Sequence, residues 1–447
     1  MTARTPLAGV IEGFYGRPWS HDERLEMIDF LAEVGLNTFI YSPKNDLFTR
    51  QRWRDPYPER EAAELAELVT RAHAVGVDVH FALSPGLSMR YSDPADTDAI
   101  LAKFAQVADV GIDGFELFLD DIPEVLQHGP DRSAFGSLVE AQIAVVGEVW
   151  TRLRASHPDA RFAVCPTQYW GHGDEEYISA LGQSLPADVG LYWTGRAICA
   201  PELQAADARV FAEHTGHPPL YWDNFPVNDV AMTGELHIGP YRGREAEIPA
   251  LAHGVIANAM PLAEASKIAF CSLADFMSDP EGFDAEASWE AAIARIAGPR
   301  DAAALREFAD ACRGSALCTD DAPRLAAHLE RFAFQYQFED QVTAVAELRS
   351  RVAAMLEVTA PLDAPENARL GAEIAPWLAQ YRRGLQSLLT AIDLIPTTGR
   401  GVPASLEGSD RDVVAALLEE FRSHRLRVFG DVLDMFLSDL SGEFTPR

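Results

Sequence analysis

Two adjacent carboxylates, Asp120-Asp121, close an otherwise apolar run, Phe115-Glu116-Leu117-Phe118-Leu119, with Pro123 just beyond them. The run reads as a buried strand, and Pro123 forbids continuation of its ladder. Successive strand side chains point to opposite faces. Asp121 can therefore join Asp120 in one site only where the backbone is already bending away. Two like charges that close resist ionising together, which raises the pKa of one and leaves an acid beside an anion. An acid to protonate a departing oxygen, beside an anion to steady positive charge, is what cleavage of a glycosidic bond requires. The plainer alternative has Asp120 capping a following turn or helix and Asp121 solvated.

The elements that would carry such a pair alternate between short apolar and longer amphipathic stretches from residue 7 to about 277. Candidate strands are Ala8–Glu12, Thr38–Ser42, Asp78–Leu83, Gly114–Leu119, Arg161–Cys165, Val189–Trp193, Leu220–Trp222 and Gly254–Ile256. Helical stretches such as Ser20–Val34, Glu59–Val75 and Ser133–Ala155 lie between them. Eight strands separated by helices predict an α/β fold, a (β/α)8 TIM-type barrel, with a doubly wound open sheet as the alternative. The phrases Val-Gly-Leu-Asn-Thr (34–38), Val-Gly-Val-Asp-Val (75–79) and Val-Gly-Ile-Asp-Gly (110–114) each place a glycine between a helix and the next strand, as a C-terminal helix cap should. Gly13-Phe14-Tyr15-Gly16 is not a nucleotide-binding fingerprint.

After about residue 285 the chain becomes rich in Ala, Leu, Glu and Arg with helical period up to about residue 436, broken near Pro361–Pro365 and Pro396–Ser409. The expected organisation is a catalytic barrel over 1–284 and an all-α domain over 285–447, a bundle by its pattern. Thr397–Gly408 is expected to be a mobile loop and Ser441–Arg447 a frayed end. At 447 residues, with 48% hydrophobic and 23% charged, the chain can bury a sizeable core. A formal charge of −31 argues against nucleic acid or an anionic membrane as partner, because phosphate binding needs clustered Lys and Arg. The five cysteines, Cys165, Cys199, Cys271, Cys312 and Cys318, are scattered and show neither a disulfide framework nor metal-ligand spacing. The first residues lack the apolar core of a signal peptide and no run is long enough to span a membrane. A soluble, reducing, cytoplasmic setting is expected, with no metal and no cofactor.

Polar and aromatic residues gather where the candidate strands end, the face on which barrel enzymes build their sites. They include the stretch Gly13-Phe14-Tyr15-Gly16-Arg17-Pro18-Trp19 after the first strand, Lys44 after the second, and Tyr169 and Trp170 after the fifth. The seventh contributes Trp222-Asp223-Asn224 and Asn228-Asp229. Such a collection suits a carbohydrate: aromatic faces stack on sugar C–H surfaces while carboxylates and amides take the hydroxyls. Singly, each has a duller reading, with Trp19 and Trp170 as rim packing, Lys44 as a surface ion-pair partner and Asn228 as a helix cap.

Gly9-Val-Ile-Glu-Gly-Phe-Tyr-Gly-Arg-Pro-Trp19, Asp120-Asp121, Trp193-Thr194-Gly195 and Trp222-Asp-Asn-Phe-Pro-Val-Asn-Asp229 together resemble glycoside hydrolase family 84, the O-GlcNAcases and related β-N-acetylglucosaminidases. The resemblance covers about residues 7–280, and the helical remainder is similar to the domain that often follows the barrel in that family. It implies a retaining hydrolase of terminal β-linked N-acetylglucosamine on a glycan or glycoprotein, in which the substrate's acetamido oxygen attacks the anomeric carbon and gives an oxazoline. On this chain it makes Asp120 the group that orients the acetamido N–H and Asp121 the acid and later base. Tyr169, Trp222 and Asn224 would line the acetamido pocket. Asp229, Lys44 and the Gly13 carbonyl would take sugar hydroxyls, as would Asn258, which is followed here by Ala259 where most relatives have Pro. The anionic Asp120 is expected to raise the pKa of Asp121 and keep it protonated near neutrality.

Two other classes compete. Asp120, Asp121, Asp223 and Asp229 would serve as oxygen ligands for Mg²⁺ or Ca²⁺ in a metal-dependent enzyme. A sugar-binding module without catalysis would keep the aromatic platforms and usually lose the acid. The helical domain is also open to use as a homodimer or interaction surface, with part of it lining the sugar site.

Overall fold

The computed structural model describes residues 6–314, 321–397 and 406–442. Eight parallel strands close into a barrel in sequence order. They are β1 (Leu7–Ile11), β2 (Thr38–Tyr41), β3 (Asp78–Leu83), β4 (Gly114–Phe118), β5 (Arg161–Cys165), β6 (Gly190–Trp193), β7 (Pro219–Asp223) and β8 (Gly254–Asn258). Closure is made by β8 against β1, with Leu7 opposite Gly254 and Ile11 opposite Asn258. The open-sheet alternative is thereby excluded. Covered on both faces, such strands read as nearly continuous apolar runs, and every residue of β4 is buried.

The expected strands coincide with these to within about two residues. β7 and β8 run further than their apolar cores suggested, because Asp223 still pairs with Ala257 in the ladder and Asn258 with Ile11. The barrel interior is packed by Ile11, Ile40, Ala82, Phe118, Tyr192 and Trp222, among others. Gly35 and Gly76 cap their helices as expected, with φ of 86° and 79°, left-handed conformations that glycine adopts without a Cβ penalty. The helix Pro94–Ala108 is instead capped by right-handed Asp109, and Gly111, with φ of 102°, turns the chain two residues later. The helix His21–Val34 opens with a capping box, in which the Ser20 side chain accepts from the Glu23 N–H and the Glu23 side chain from the Ser20 N–H. The single helix expected over Ser133–Ala155 is two, Gly129–Ala134 and Leu138–Ser156. Ser137 is extended there and its hydroxyl accepts from the Glu140 N–H, so a new helix starts in the middle of the periodic run.

The chain divides into two compact units. The first comprises Met1–Asp229, Arg242–Ala263 and Phe270–Asp284, and the second Val230–Tyr241, Glu264–Ala269 and Ala285–Arg447. Beyond residue 285 the described elements are all helical, from Ala285–Ala297 to Val432–Ser441. The break expected near Pro361–Pro365 is a 3₁₀ turn, Ala360–Asp363, followed by Asn367, whose side chain caps the helix Ala368–Asp393. The loop expected over Thr397–Gly408 and the frayed end fall largely outside the described residues. Among the described residues no helix is long and apolar enough to cross a membrane.

Candidate active site

The chemistry-bearing side chains project from the C-terminal ends of the strands. On β4, Glu116 and Phe118 share one parity, and Asp120, two residues further, continues that inward column. Asp121 would by parity turn away, but its backbone is left-handed, with φ of 52°. Aspartate is one of the few side chains that tolerates this region, and the turn brings both carboxylates into the barrel mouth. The bend is held from β5: the Leu119 N–H donates to the Cys165 carbonyl at 2.8 Å. The Thr167 hydroxyl donates to the Leu119 carbonyl at 2.7 Å and itself accepts from Gln142 Nε2 at 2.8 Å.

Asp120 is buried against Lys44, whose Nζ lies 2.7 Å from Oδ2. The other oxygen of Asp120, Oδ1, is buried and has no hydrogen-bond partner. An unsatisfied carboxylate oxygen is a costly thing to bury and asks for a ligand donor. Lys44 sits 5.4 Å from the centre of the Trp222 ring and 5.6 Å from that of Tyr15, so the surface ion pair of its duller reading is instead an interior one.

Asp121 is open to solvent on one side and hydrogen-bonded on the other. The Tyr15 hydroxyl donates to Oδ2 at 2.7 Å and the Tyr169 hydroxyl to Oδ1 at 3.0 Å. These contacts correct the expectation that Asp120 keeps Asp121 protonated. Partial burial raises the Asp121 carboxyl, but Lys44, the two phenol donors and Arg50 outweigh it and hold the group below the usual carboxylate range. Burial and the neighbouring Asp121 charge push the Tyr169 phenol up, so it remains a donor.

A second corner is built from amides. Asn224 Oδ1 accepts from Trp222 Nε1 at 3.0 Å and from Asn258 Nδ2 at 2.9 Å, while Asn224 Nδ2 donates to the Ile198 carbonyl at 2.6 Å. Asn258, the last residue of β8, keeps a buried Oδ1 without a partner. Gly13 faces this corner closely: a Cβ there would lie 2.6 Å from the Trp222 ring and 3.1 Å from Asn258 Oδ1. Asp229 accepts the Tyr15 main-chain N–H at 2.7 Å, and burial raises its carboxyl. The nine residues anticipated for the site thus all stand at the strand ends of one barrel face.

Other aromatic candidates do other things. Trp19 is buried, and its indole donates to the Met260 carbonyl at 3.0 Å, so it anchors its loop and offers no sugar platform. Trp170 is 49% exposed and free to be a rim surface. The Trp193-Thr194-Gly195 motif is scaffolding for Tyr169: Thr194 N–H donates to the Tyr169 carbonyl at 2.8 Å and Gly171 N–H to that of Gly195 at 2.9 Å. The four aspartates weighed as metal ligands do not gather, because Asp223 gives both oxygens to the Arg244 guanidinium. Tyr15 was visible in the sequence only as part of a motif, and Arg50, whose Nη1 donates to the Tyr15 hydroxyl at 2.9 Å, gave no signal at all.

Residues 8–310 match the family model described as beta-N-acetylglucosaminidase. The chain belongs to the β-N-acetylglucosaminidase family, glycoside hydrolase family 84. Within it, the chain is 32% identical over 278 residues to the protein O-GlcNAcases of Rattus norvegicus and Mus musculus, a stretch that is 61% of this chain. That stretch is only 30% of those relatives' length. A mutant of the Thermobaculum terrenum O-GlcNAc hydrolase superposes with a TM-score of 0.91 at 30% identity, over 97% of this chain and 94% of that one. CpGH84B, at 24% identity and a TM-score of 0.82 over 97% of this chain and 76% of its own, shares the fold.

Proposed function

We propose that this chain is a retaining β-N-acetylglucosaminidase that cleaves terminal β-linked N-acetylglucosamine by substrate-assisted catalysis. The observation that carries this reading is the Asp120 carboxylate, with Lys44 on Oδ2 and nothing on Oδ1, in one barrel mouth with Asp121, its two phenol donors and the Asn224–Asn258 amides. Oδ1 is suited to accept the acetamido N–H, which sharpens the nucleophilicity of the carbonyl oxygen and orients it toward the anomeric carbon. The acetamido oxygen bonds to that carbon as the bond to the leaving oxygen breaks, and Asp121 gives its proton to the departing group. Water, deprotonated by Asp121, then attacks the anomeric carbon from the face the leaving group vacated and breaks its bond to the oxazoline oxygen, so two inversions retain the configuration.

In this reading Tyr169 changes partner during binding. Its hydroxyl, on Asp121 Oδ1 in the empty site, passes to the acetamido oxygen, with Trp222 and Asn224 shaping the pocket around it. Asp121 thereby loses a donor and a water-exposed face at once, and both changes raise its pKa toward that of a working acid. The kcat profile reports the bound enzyme and kcat/KM the free one, so the alkaline limb of kcat should lie at higher pH than that of kcat/KM. Coincident limbs would remove the hand-off. Asp229, the Gly13 carbonyl, Lys44 and Asn258 Oδ1 are the groups we assign to the sugar hydroxyls. We assign catalysis to residues 1–284 and treat 285–447 as a helical domain. The relatives' names favour an O-linked N-acetylglucosamine substrate.

The test is a series of aryl N-acetylglucosaminides with zero to three fluorines on the acetamido methyl. Each fluorine weakens the carbonyl nucleophile, so kcat/KM should fall steeply along the series, and a thiazoline mimic of the bicyclic intermediate should inhibit competitively and far more tightly than substrate binds. A rate indifferent to fluorination would point to a protein nucleophile and sink the proposal.

A further inference from the structure

Asp121 has two phenol donors, and they are not equivalent. Tyr169 carries a hydroxyl whose one recorded partner is Asp121 Oδ1. Tyr15 is fixed at every point along its length. Its main-chain N–H donates to Asp229 Oδ2 at 2.7 Å, and its hydroxyl both donates to Asp121 Oδ2 at 2.7 Å and accepts from Arg50 Nη1 at 2.9 Å. A guanidinium can only donate, so the single phenol proton has one place to go, the Asp121 carboxylate. The Arg50 guanidinium also lies 5.3 Å from the centre of the Tyr15 ring. The loop behind Tyr15 is tied down by buried Glu12, which accepts from the Trp19 N–H at 3.0 Å and from Arg24 Nε at 2.6 Å.

We infer that Tyr15, backed by Arg50, is a positioning residue for the acid/base carboxyl, a permanent hydroxyl donor that keeps Asp121 Oδ2 in place and sets the pH range over which Asp121 carries its proton. The inference rests on the reading of Asp121 as general acid and base. Tyr169 is the donor that substrate removes; Tyr15 is the one that stays. The charged and titratable groups facing Asp121 come from five strand ends: Tyr15, Lys44 and Arg50, Asp120, Cys165 and Tyr169, and Asp229. Of these, Lys44, paired with Asp120 at 2.7 Å, acts on Asp121 as the strongest nearby positive charge, while the Arg50–Tyr15 relay is the cationic support that reaches Asp121 through hydrogen bonds. Tyr15 also joins the two ends of the site, since Asp229 is held by its main chain and Asp121 by its side chain.

The matching observable is the pH profile of kcat/KM, which reports the free enzyme whose geometry this is. A hydrogen bond to a carboxylate favours its charged form, so Tyr15→Phe should move the alkaline limb up by about one pH unit while leaving the acid limb in place. Arg50→Gln should move the same limb in the same direction by less, and should add little in the Tyr15→Phe background, because its main route to Asp121 has gone. A fall in kcat with both limbs unmoved, or a rise in KM alone, would make Tyr15 a packing or substrate-contact residue and overturn the inference. If Tyr15→Phe fails to fold, the Arg50→Gln profile carries the test alone. Leaving-group dependence of Asp121→Asn separates this from the underlying reading. If that variant shows no such dependence, the acid/base assignment itself fails. If it does and the Tyr15→Phe limb stays put, only the role of Tyr15 fails.

Discussion

The inward column of β4 carries two buried carboxylates, Glu116 within the strand and Asp120 two residues past its end, and the two differ in a way that separates a site from a scaffold. Toward the N-terminal end Glu116 lies 2.7 Å from His80 Nδ1, leaving Glu116 Oε2 and His80 Nε2 without partners. At the C-terminal end Asp120 lies 2.7 Å from Lys44, leaving Asp120 Oδ1 without a partner. By pairing and burial the two look alike. Around Glu116 there is a cavity of about 700 Å³ whose rim carries Asp78 and Asp113, joined by Arg161, with Asp159 and Asp188. Around Asp120 there are a second carboxylate, two phenols and two amides, brought in by loops from β1, β5, β7 and β8. A buried carboxylate held by one hydrogen-bonding partner is therefore not a site in itself. Convergence of different functional groups is, and strand ends supply it where strand interiors cannot.

The sharpest way to break the comparison is at Asp121. General acid catalysis is typically worth about 10² to 10⁴ in rate. Asp121→Asn should lose about that much on an alkyl- or peptide-linked sugar, yet approach the parent enzyme on a dinitrophenyl glycoside in the glycosylation step, with azide partly restoring turnover. Asp120→Asn should be slow whatever the leaving group, because what it weakens is the acetamido nucleophile. Should the two patterns appear on the opposite variants, the roles are exchanged.

Next in size is the amide corner. A methyl at Gly13 would stand 2.6 Å from the Trp222 ring and 3.1 Å from Asn258 Oδ1, so Gly13→Ala must displace the indole or the strand end. kcat/KM should fall by about tenfold or more, since small misplacements in a reacting geometry are amplified. Asp229→Ala should fall further than Trp170→Ala, because the first strands sugar hydroxyls in a buried place and the second trims a residue that is 49% exposed. Equal and small losses in both would remove Asp229 from the sugar contacts.

The barrel was legible because a parallel sheet buried on both faces leaves its apolar runs in the sequence, and because Gly35, Gly76 and Gly111 mark where helices hand over to strands. Asp120, Asp121, Lys44, Tyr169, Trp222, Asn224 and Asp229 stood out once the strand ends were placed, whereas the Gly13 carbonyl and Asn258 were singled out only through the family resemblance. What was not legible depends on contacts between distant residues. The Asp120-Asp121 spacing suggests mutual repulsion, but the outcome is set by Lys44, Tyr15, Tyr169 and Arg50, which come from three other loops. Ser137 looks like any polar position in a helical run until its extended backbone shows it to be a cap. Trp19 and Trp170 are alike in sequence and opposite in burial. The His80–Glu116 pair did leave a trace, since each is a lone polar residue inside an apolar strand, at positions that parity then aligns.

That pair offers the smallest expected effect on turnover and the most discriminating one for the comparison. If the N-terminal end is scaffold, kcat/KM of Glu116→Leu, His80→Leu and the double variant should all stay within about twofold of the parent, within the range of a distant structural change. Stability should separate them. Each single change leaves one polar partner buried and uncompensated, a loss of about 1–3 kcal/mol. The double change replaces the pair by two apolar side chains, in a barrel layer already flanked by Ala82 and Phe118. Replacing both partners of a buried hydrogen bond by apolar groups of similar shape is close to neutral or stabilising. Urea unfolding should therefore rank the double variant at or above the parent and both singles well below it. A double variant that unfolds normally but loses turnover would show that the two ends of β4 are linked, and the division drawn between them would not stand.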